Sequence, residues 1–315
     1  MATLFSGDVG YRGIVKLNNV ILLATGGQIT ISHDPIFSSG VWGAGYQNAA
    51  ENVAYADNYL RLEGSFDFQL TKGSGVTAVK TFAFTNRGNP AGTPITILPN
   101  GEHGFTGVGW CSSFGFSASE GDVVTCNAGF SSFIDSTINN QILTGTSSNS
   151  ATGASGGTLP FAYNDLFPYW ATQVTKAGAT LNDITAWSCD YSSEIVPLKC
   201  CGTNSGSGYG IAEKDSAGAP LGPDYILIGS MTAQGNYTVF RLQGDFEPAK
   251  YHAGGEIKFA MAPSSAPSTP AATVTIPKAI NNSGSSSIQT GSSYITAEFS
   301  FTAIGDGTNP PISIS

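Results

Sequence analysis

Two short strand signatures occur twice in the chain, in the same order each time. Gln28-Ile29-Thr30-Ile31-Ser32 precedes Tyr59-Leu60-Arg61-Leu62-Glu63-Gly64-Ser65, and Asp183-Ile184-Thr185-Ala186-Trp187-Ser188 precedes Tyr225-Ile226-Leu227-Ile228-Gly229-Ser230. An internal repeat constrains a fold more than any single residue, because both copies must build the same unit. The expectation is one β domain used twice, with residues 10–145 and 160–305 superposable, Ile29 matching Ile184 and Gly64 matching Gly229. A chain of 315 residues has room for two separate cores. Residues 147–157 (SSNSATGASGG) lack hydrophobic periodicity and read as a flexible connection. The domains expected are therefore 1–146 and 159–315, with a Gly/Ser-rich linker over 147–158.

Strict alternation supports strands. Leu60, Leu62, Gly64, Phe66, Phe68 and Leu70 fall on one face, and Arg61, Glu63, Ser65, Asp67 and Gln69 on the other. Lys72-Gly73-Ser74-Gly75 reads as a turn, and residues 76–85 as the returning strand of a long hairpin, with Phe82 and Phe84 on one side. Residues 109–130 read as another hairpin about Ser119-Glu120-Gly121-Asp122, with Trp110, Phe114 and Phe116 on one face. Cys111 then shares a smooth face with Gly109, Ser113, Gly115 and Ser117, suited to touching another subunit. In the second half, Trp187, Cys189 and Tyr191 share a face, strands run over 225–233 and 236–242, and Ile295, Ala297, Phe299, Phe301 and Ala303 mark a last core strand. Residues 262–272 read as an exposed Pro/Ser/Ala-rich excursion. Residues 47–57 are good helix formers with weak amphipathicity, a helix or an extended loop. The fold class is all-β, mainly antiparallel, in two sandwich or barrel-like domains with long hairpins and at most short helices.

Site chemistry is sparse. Gly153-Ala154-Ser155-Gly156-Gly157 has the letters of a nucleophile elbow, but its flanks are low-complexity rather than strand and helix. The three histidines, His33, His103 and His252, lack metal-ligand spacing, no phosphate-binding loop is present, and no carboxylate pair is singled out. No catalytic, cofactor or metal site is expected. Trp110, Trp187, Phe66, Phe68, Phe82 and Phe84 read as core, whereas Trp42 lies in a less regular stretch suited to an interface. The five cysteines are odd in number and read as free thiols or, at Cys111, Cys200 and Cys201, as inter-subunit thiols.

Only 11% of the residues are charged, against 40 glycines, which suits a surface largely covered by neighbours. A net charge of −9 argues against tight binding to nucleic acid, though not against a surface it slides past. No apolar run approaches the roughly 18 residues of a membrane span, and the N-terminal residues lack the basic and apolar regions of a signal peptide.

The stretch Pro168-Tyr169-Trp170, the strand Ile184-Thr185-Ala186-Trp187-Ser188-Cys189-Asp190-Tyr191-Ser192, the segment Glu194-Ile195-Val196-Pro197-Leu198 and the strand end Ile228-Gly229-Ser230 resemble bacteriophage tail tube and tube-like tail proteins. The first half is similar in its long hairpins and its Trp110–Phe130 strand pair. The resemblance implies tandem tail-tube-like domains in a virion protein assembled in the host cytoplasm. It would polymerise as stacked rings, a trimer of two-domain chains or a hexamer, that form a channel for DNA. The hairpin carrying Leu60, Phe66, Phe68, Phe82 and Phe84 would join subunits, and Glu63, Asp67 and Gln69 would face the lumen, although the wet face of a soluble sandwich has the same pattern. Partners would be other copies and sheath, terminator or baseplate proteins, with DNA as passing cargo. A baseplate or tail-tip ring of the same fold, a β-rich adhesin or carbohydrate-binding module, and a hydrolase on a β-sandwich are the alternatives.

Overall fold

The computed structural model describes residues 14–33, 36–39, 52–56, 60–86, 89, 91–98, 103–133, 141–144, 163–198, 225–242, 254–288, 294–305 and 309–315. The first half contributes β1 (Ile14–Leu17), β2 (Val20–Ile21), β3 (Leu23–His33), β4 (Ile36–Ser39), β5 (Asn52–Ala56), β6 (Leu60–Gln69), β7 (Thr93–Leu98), β8 (His103–Ser119), β9 (Thr125–Phe133) and β10 (Gln141–Thr144). The second contributes β11 (Thr172–Lys176), β12 (Ala179–Leu181), β13 (Ile184–Leu198), β14 (Tyr225–Leu242), β15 (Gly255–Met261), β16 (Ala272–Ile288), β17 (Tyr294–Ala303) and β18 (Ser313–Ile314). One short helix, α1 (Ser74–Val79), runs into a π-helical stretch, Lys80–Thr85. The fold is all-β, as the alternating sequence predicts, and 16 of the strands belong to one hydrogen-bonded antiparallel sheet, with β4 and β5 paired separately.

The strand order repeats. In the first half it runs β3-β6-β9-β8-β7-β1-β2, with β10 also on β8. In the second it runs β13-β14-β17-β16-β15-β11-β12, with β18 also on β16. Taken in chain order, each strand of the second series occupies the place of its counterpart in the first.

Local devices repeat as well. The β1–β2 and β11–β12 hairpins turn through Asn18-Asn19 (φ 49° and 63°) and Ala177-Gly178 (φ 48° and 82°), the paired positive φ of a type I′ turn. β3 and β13 each carry a bulge, at Thr25 and Thr185, and β8 and β16 each carry one at Ser112 and Asn282. Gly64 and Gly235 each lie beneath a phenylalanine ring, Phe130 and Phe301, beside a backbone carbonyl, Gln28 and Ser188.

These registers correct the expected correspondence. Ile29 pairs with Gly64, and the counterpart of that pair is Cys189 with Gly235. Ile184 matches Ala24, since each sits just before the shared bulge. Gly229 matches nothing in β6: Tyr225 to Ile228 pair with the far end of β13, at Leu198 to Ile195, beyond the reach of β3 and β6. The two look-alike signatures therefore sit at different heights in their strands. β14 is also one strand rather than two, because Gly235 marks a close approach of Phe301 and not a turn.

The main core is one continuous apolar cluster spanning both halves, and Trp110, Phe133 and Ile195 form a separate small one. Leu62, Phe66 and Phe68 of β6 are buried while Glu63 and Asp67 between them are exposed. Trp187 stacks on Phe259 at 4.4 Å, and Tyr237 on Phe299 at 5.5 Å. The ladder itself crosses between the halves, since β13 pairs with β8 from Ala186↔Ser119 to Ser192↔Ser113. Tyr191 of β13 reaches into the first half, donating to the Ala83 carbonyl at 2.6 Å, with its ring 6.4 Å from Phe114. The expected linker over 147–158, the elbow-like 153–157, Trp42, Cys200 and Cys201 lie outside the described residues.

Four local expectations change. Residues 76–85 do not return as a strand. Val76, Ala78, Val79, Phe82 and Ala83 are buried while Thr77 and Lys80 are exposed, the spacing of a helical turn rather than of a pleat. Thr77 is held by a bond from its hydroxyl to the Gly73 carbonyl at 3.0 Å. The proposed hairpin of Leu60, Phe66, Phe68, Phe82 and Phe84 is thus absent: β6 pairs with β3 and β9 instead. Phe66, Phe68 and Phe82 are core residues, and Phe84 packs half-buried 5.5 Å from Tyr191.

Cys111 does not share the face of Ser113 and Gly115. The Ser112 bulge reverses the alternation and turns Cys111 into the core, 2.9 Å from the Tyr191 hydroxyl, so it is closed to another subunit. Within 47–57, residues Asn52–Ala56 form β5 on β4 rather than a helix or loop.

Candidate functional site: a polar sheet face between two open edges

Eight strands run side by side as β3-β6-β9-β8-β13-β14-β17-β16. One face of this ladder is the core. The other is lined by short polar side chains that bond across the strands. Ser117 meets Thr125 at 2.9 Å, Ser188 meets Asn236 at 3.1 Å, Ser192 meets Thr232 at 2.9 Å and Ser283 meets Ser300 at 2.7 Å. Asn282 bonds Thr302, and Asn127 donates to Asp67 at 2.5 Å. Such cross-strand pairs are the unit of sheet stabilisation, and here they lie on both sides of the β8–β13 junction.

The charges on this face are mainly acidic. Glu63 and Asp67 come from the first half; Asp190, Glu194 and Glu298 come from the second. Arg61 lies 2.6 Å from Glu63. Glu63 has Gln234 as its counterpart and Asp67 has Thr238, so the two halves carry their acids at different places on a shared scaffold. Burial pushes the Asp190 carboxyl above its ordinary value. A depression on the same face brings together Gln28, Thr30, Arg61, Glu63, Ser113 and Glu194. Glu63, Asp67 and Gln69 all project to this face, and Glu63 and Asp67 are exposed. Sequence alternation identified the first-half acids. Asp190 and Glu194 were missed because only the strand pairing places them on the same face as Glu63, with Glu194 in the same depression.

Both ends of the ladder are open among the described residues. β3 pairs with β6 and no other described strand, and its Thr25, Gln28 and Thr30 are exposed. β16 pairs with β17 from Ala279 to Ile288 and with β15 from Ala272 to Ala279, and past Ala279 no described strand pairs with its side away from β17. Its Asn282, Ser283, Gly284 and Ser285 are exposed.

Among the described residues, no group of three or more His, Cys, Asp or Glu is placed to hold a metal ion. The side chains of all three histidines lie outside the described residues. Cys126 and Cys189 are buried, and burial pushes both thiols well above the ordinary range, away from nucleophilic use. No described helix is long and apolar enough to cross a membrane.

No protein-family model matches the chain, and no curated protein matches it. Among solved structures, the tube-terminating cap of the anti-feeding prophage aligns over 52% of this chain and 98% of its own, at 11% identity and a TM-score of 0.34. A chain of the sheath–tube complex of an extracellular contractile injection system, PVC in its extended state, aligns over 47% of this chain and 90% of its own, at 12% identity and a TM-score of 0.33. At such scores neither alignment bears on function.

Proposed function

We propose that the chain is a structural, non-enzymatic component of a bacteriophage-type tail tube, self-assembling into rings that stack around a channel. The observation that carries this reading is the ladder of repeated strands left open at both ends among the described residues, at β3 and the outer half of β16. Open edges of this length invite pairing with another chain, and a closed assembly removes them. The resemblance of Ile184-Thr185-Ala186-Trp187-Ser188-Cys189-Asp190-Tyr191-Ser192 to tube proteins points the same way.

On this reading the two halves are the tandem tube-like domains, and a trimer supplies six of them to a ring. The polar face becomes the channel wall, with Glu63, Asp67 and Gln69 among its lining. An acidic, hydroxyl-rich wall repels phosphate and lets DNA pass as cargo without sticking. The partners are other copies and neighbouring tail proteins such as sheath, terminator or baseplate, in the virion tail. Assembly takes place in the host cytoplasm.

Negative-stain microscopy of the purified chain tests the reading: rings or short tubes with an axial hole are expected, and discrete monomers would refute it. In assembled tubes, Glu63→Lys with Asp67→Lys is expected to leave assembly intact, since both side chains are on the wet face. DNA added at low ionic strength should then be retained and released by salt. Equal DNA retention by mutant and wild-type tubes at low salt would put this face outside the channel.

A further inference from the structure

We propose that β16 of one chain pairs antiparallel with β3 of a second copy, in the register that β8 and β13 hold within the chain. The inference rests on the self-assembly reading above and adds to it the strands, the order and the residue pairs. Its basis is the internal repeat. β8 occupies in the first half the place of β16 in the second, and β3 occupies the place of β13. The β8–β13 ladder is therefore a junction between the trailing edge of one repeat and the leading edge of the next. The second repeat has the same trailing edge, unpaired by any described strand at residues 283–288 on the side away from β17, and the first repeat has the same leading edge, paired among the described strands only with β6 along β3.

The register follows from the shared bulges. Ser113, one residue past the Ser112 bulge, pairs with Ser192, and Gly115 pairs with Asp190. Ser283 stands one residue past the Asn282 bulge, and Ser32 and Thr30 hold the places of Ser192 and Asp190. Ser283 then pairs with Ser32 of the next copy, Ser285 with its Thr30 and Ser287 with its Gln28. Thr30 and Ser285 are both exposed and face the polar side, where hydroxyl pairs such as Ser192 with Thr232 already bridge neighbouring strands. The contact is head-to-tail, the kind that closes into a ring when its rotation divides the circle and otherwise grows as a filament. The strand addition brings main-chain bonds for affinity and side-chain pairs for register.

Engineered thiols test this. In the proposed register the Cα atoms of Thr30 and Ser285 sit about 4.5–5.5 Å apart, within disulfide range. Thr30→Cys with Ser285→Cys should give covalent oligomers under mild oxidation, seen as a ladder on non-reducing gels. A mixture of the two single variants should stop at dimers. Gln28→Cys with Ser283→Cys, four residues out of register and about 13 Å apart, should cross-link no more than oxidised wild type. Sedimentation of the reduced proteins is run in parallel. An assembled protein in which the first pair fails to cross-link, or in which both pairs cross-link equally, overturns the register while self-assembly stands. A protein that sediments as a monomer and does not cross-link overturns both.

Discussion

Gly235→Ala is expected to destabilise the chain by about 3 kcal/mol or more and to lower Tm by about 5 °C or more. A Cβ built on Gly235 lies 2.5 Å from Phe301 Cζ and 3.0 Å from Cys189 Cα, and closer still to the Ser188 carbonyl. Two of these three neighbours are backbone atoms of the paired strand, so relief requires β13 and β14 to separate. Gly64→Ala meets Phe130 Cζ at 2.6 Å and the Gln28 carbonyl at 2.9 Å, the same arrangement in the first half. Phe130 is buried, with Phe66 at 6.3 Å and Phe105 at 5.8 Å, so its ring has little room to swing. Its expected effect is nearly as large. Gly229→Ala is the control: its nearest neighbour is the side chain of exposed Glu194 at 3.0 Å, and the change should stay within about 1 kcal/mol. Thermal unfolding of the three variants decides between the two candidate counterparts of Gly64. A Gly229 effect as large as that of Gly235 would contradict the register.

The second large effect lies where the halves differ. Lys176 is buried, donating to the Tyr237 hydroxyl at 2.8 Å and the Asn281 side-chain carbonyl at 2.8 Å. Its counterpart in the first half is Leu17, and those of Tyr237 and Asn281 are Phe66 and Cys111. One repeat thus holds a polar trio where the other holds an apolar one. Tyr237→Phe or Asn281→Ala alone takes an acceptor from a buried ammonium and should cost about 2–3 kcal/mol. The triple change Lys176→Leu, Tyr237→Phe and Asn281→Cys copies the first half and should recover most of that loss, because an apolar trio needs no partners. Urea unfolding of the single and triple variants measures the non-additivity. Additive losses across the three changes would show that the sites act separately.

The same lysine makes stability depend on pH. Burial pulls the Lys176 pKa from 10.5 down to about 8, so between those values the unfolded chain binds the extra proton. The burden of burying the charge is fully present below pH 8 and lifts as pH rises toward 10.5. Wild type should gain stability across that window relative to the triple variant, which has no such group.

Much of the fold was legible in the residues. Alternation gave β6, the β8–β9 hairpin and β17, and the duplicated signatures pointed to a repeat. The register of that repeat was not legible, because Tyr59 and Tyr225 begin look-alike runs at different heights in their strands. Its true markers are two bulges and two glycines, which become visible only once the strands are paired. Residues 76–85 misled because Phe82 and Phe84 fit a pleat as well as a helix in so short a run, and tertiary burial decides between them. Cys111 misled because one bulged residue, Ser112, reverses every side chain beyond it. Of the candidate site, Glu63 and Asp67 were readable from the strand pattern. The open edges were not, since an edge is a property of the strand order.

Cryo-EM of the purified chain, at a resolution that traces strands, tests the central claim most directly. The account predicts closed rings containing twice as many tube-like units as chains, with the polar face of β6 and β14 turned inward. The joint between chains should look like the β8–β13 joint within each. A monomer, or a ring closed through other strands with β3 and the outer half of β16 left open, would contradict it.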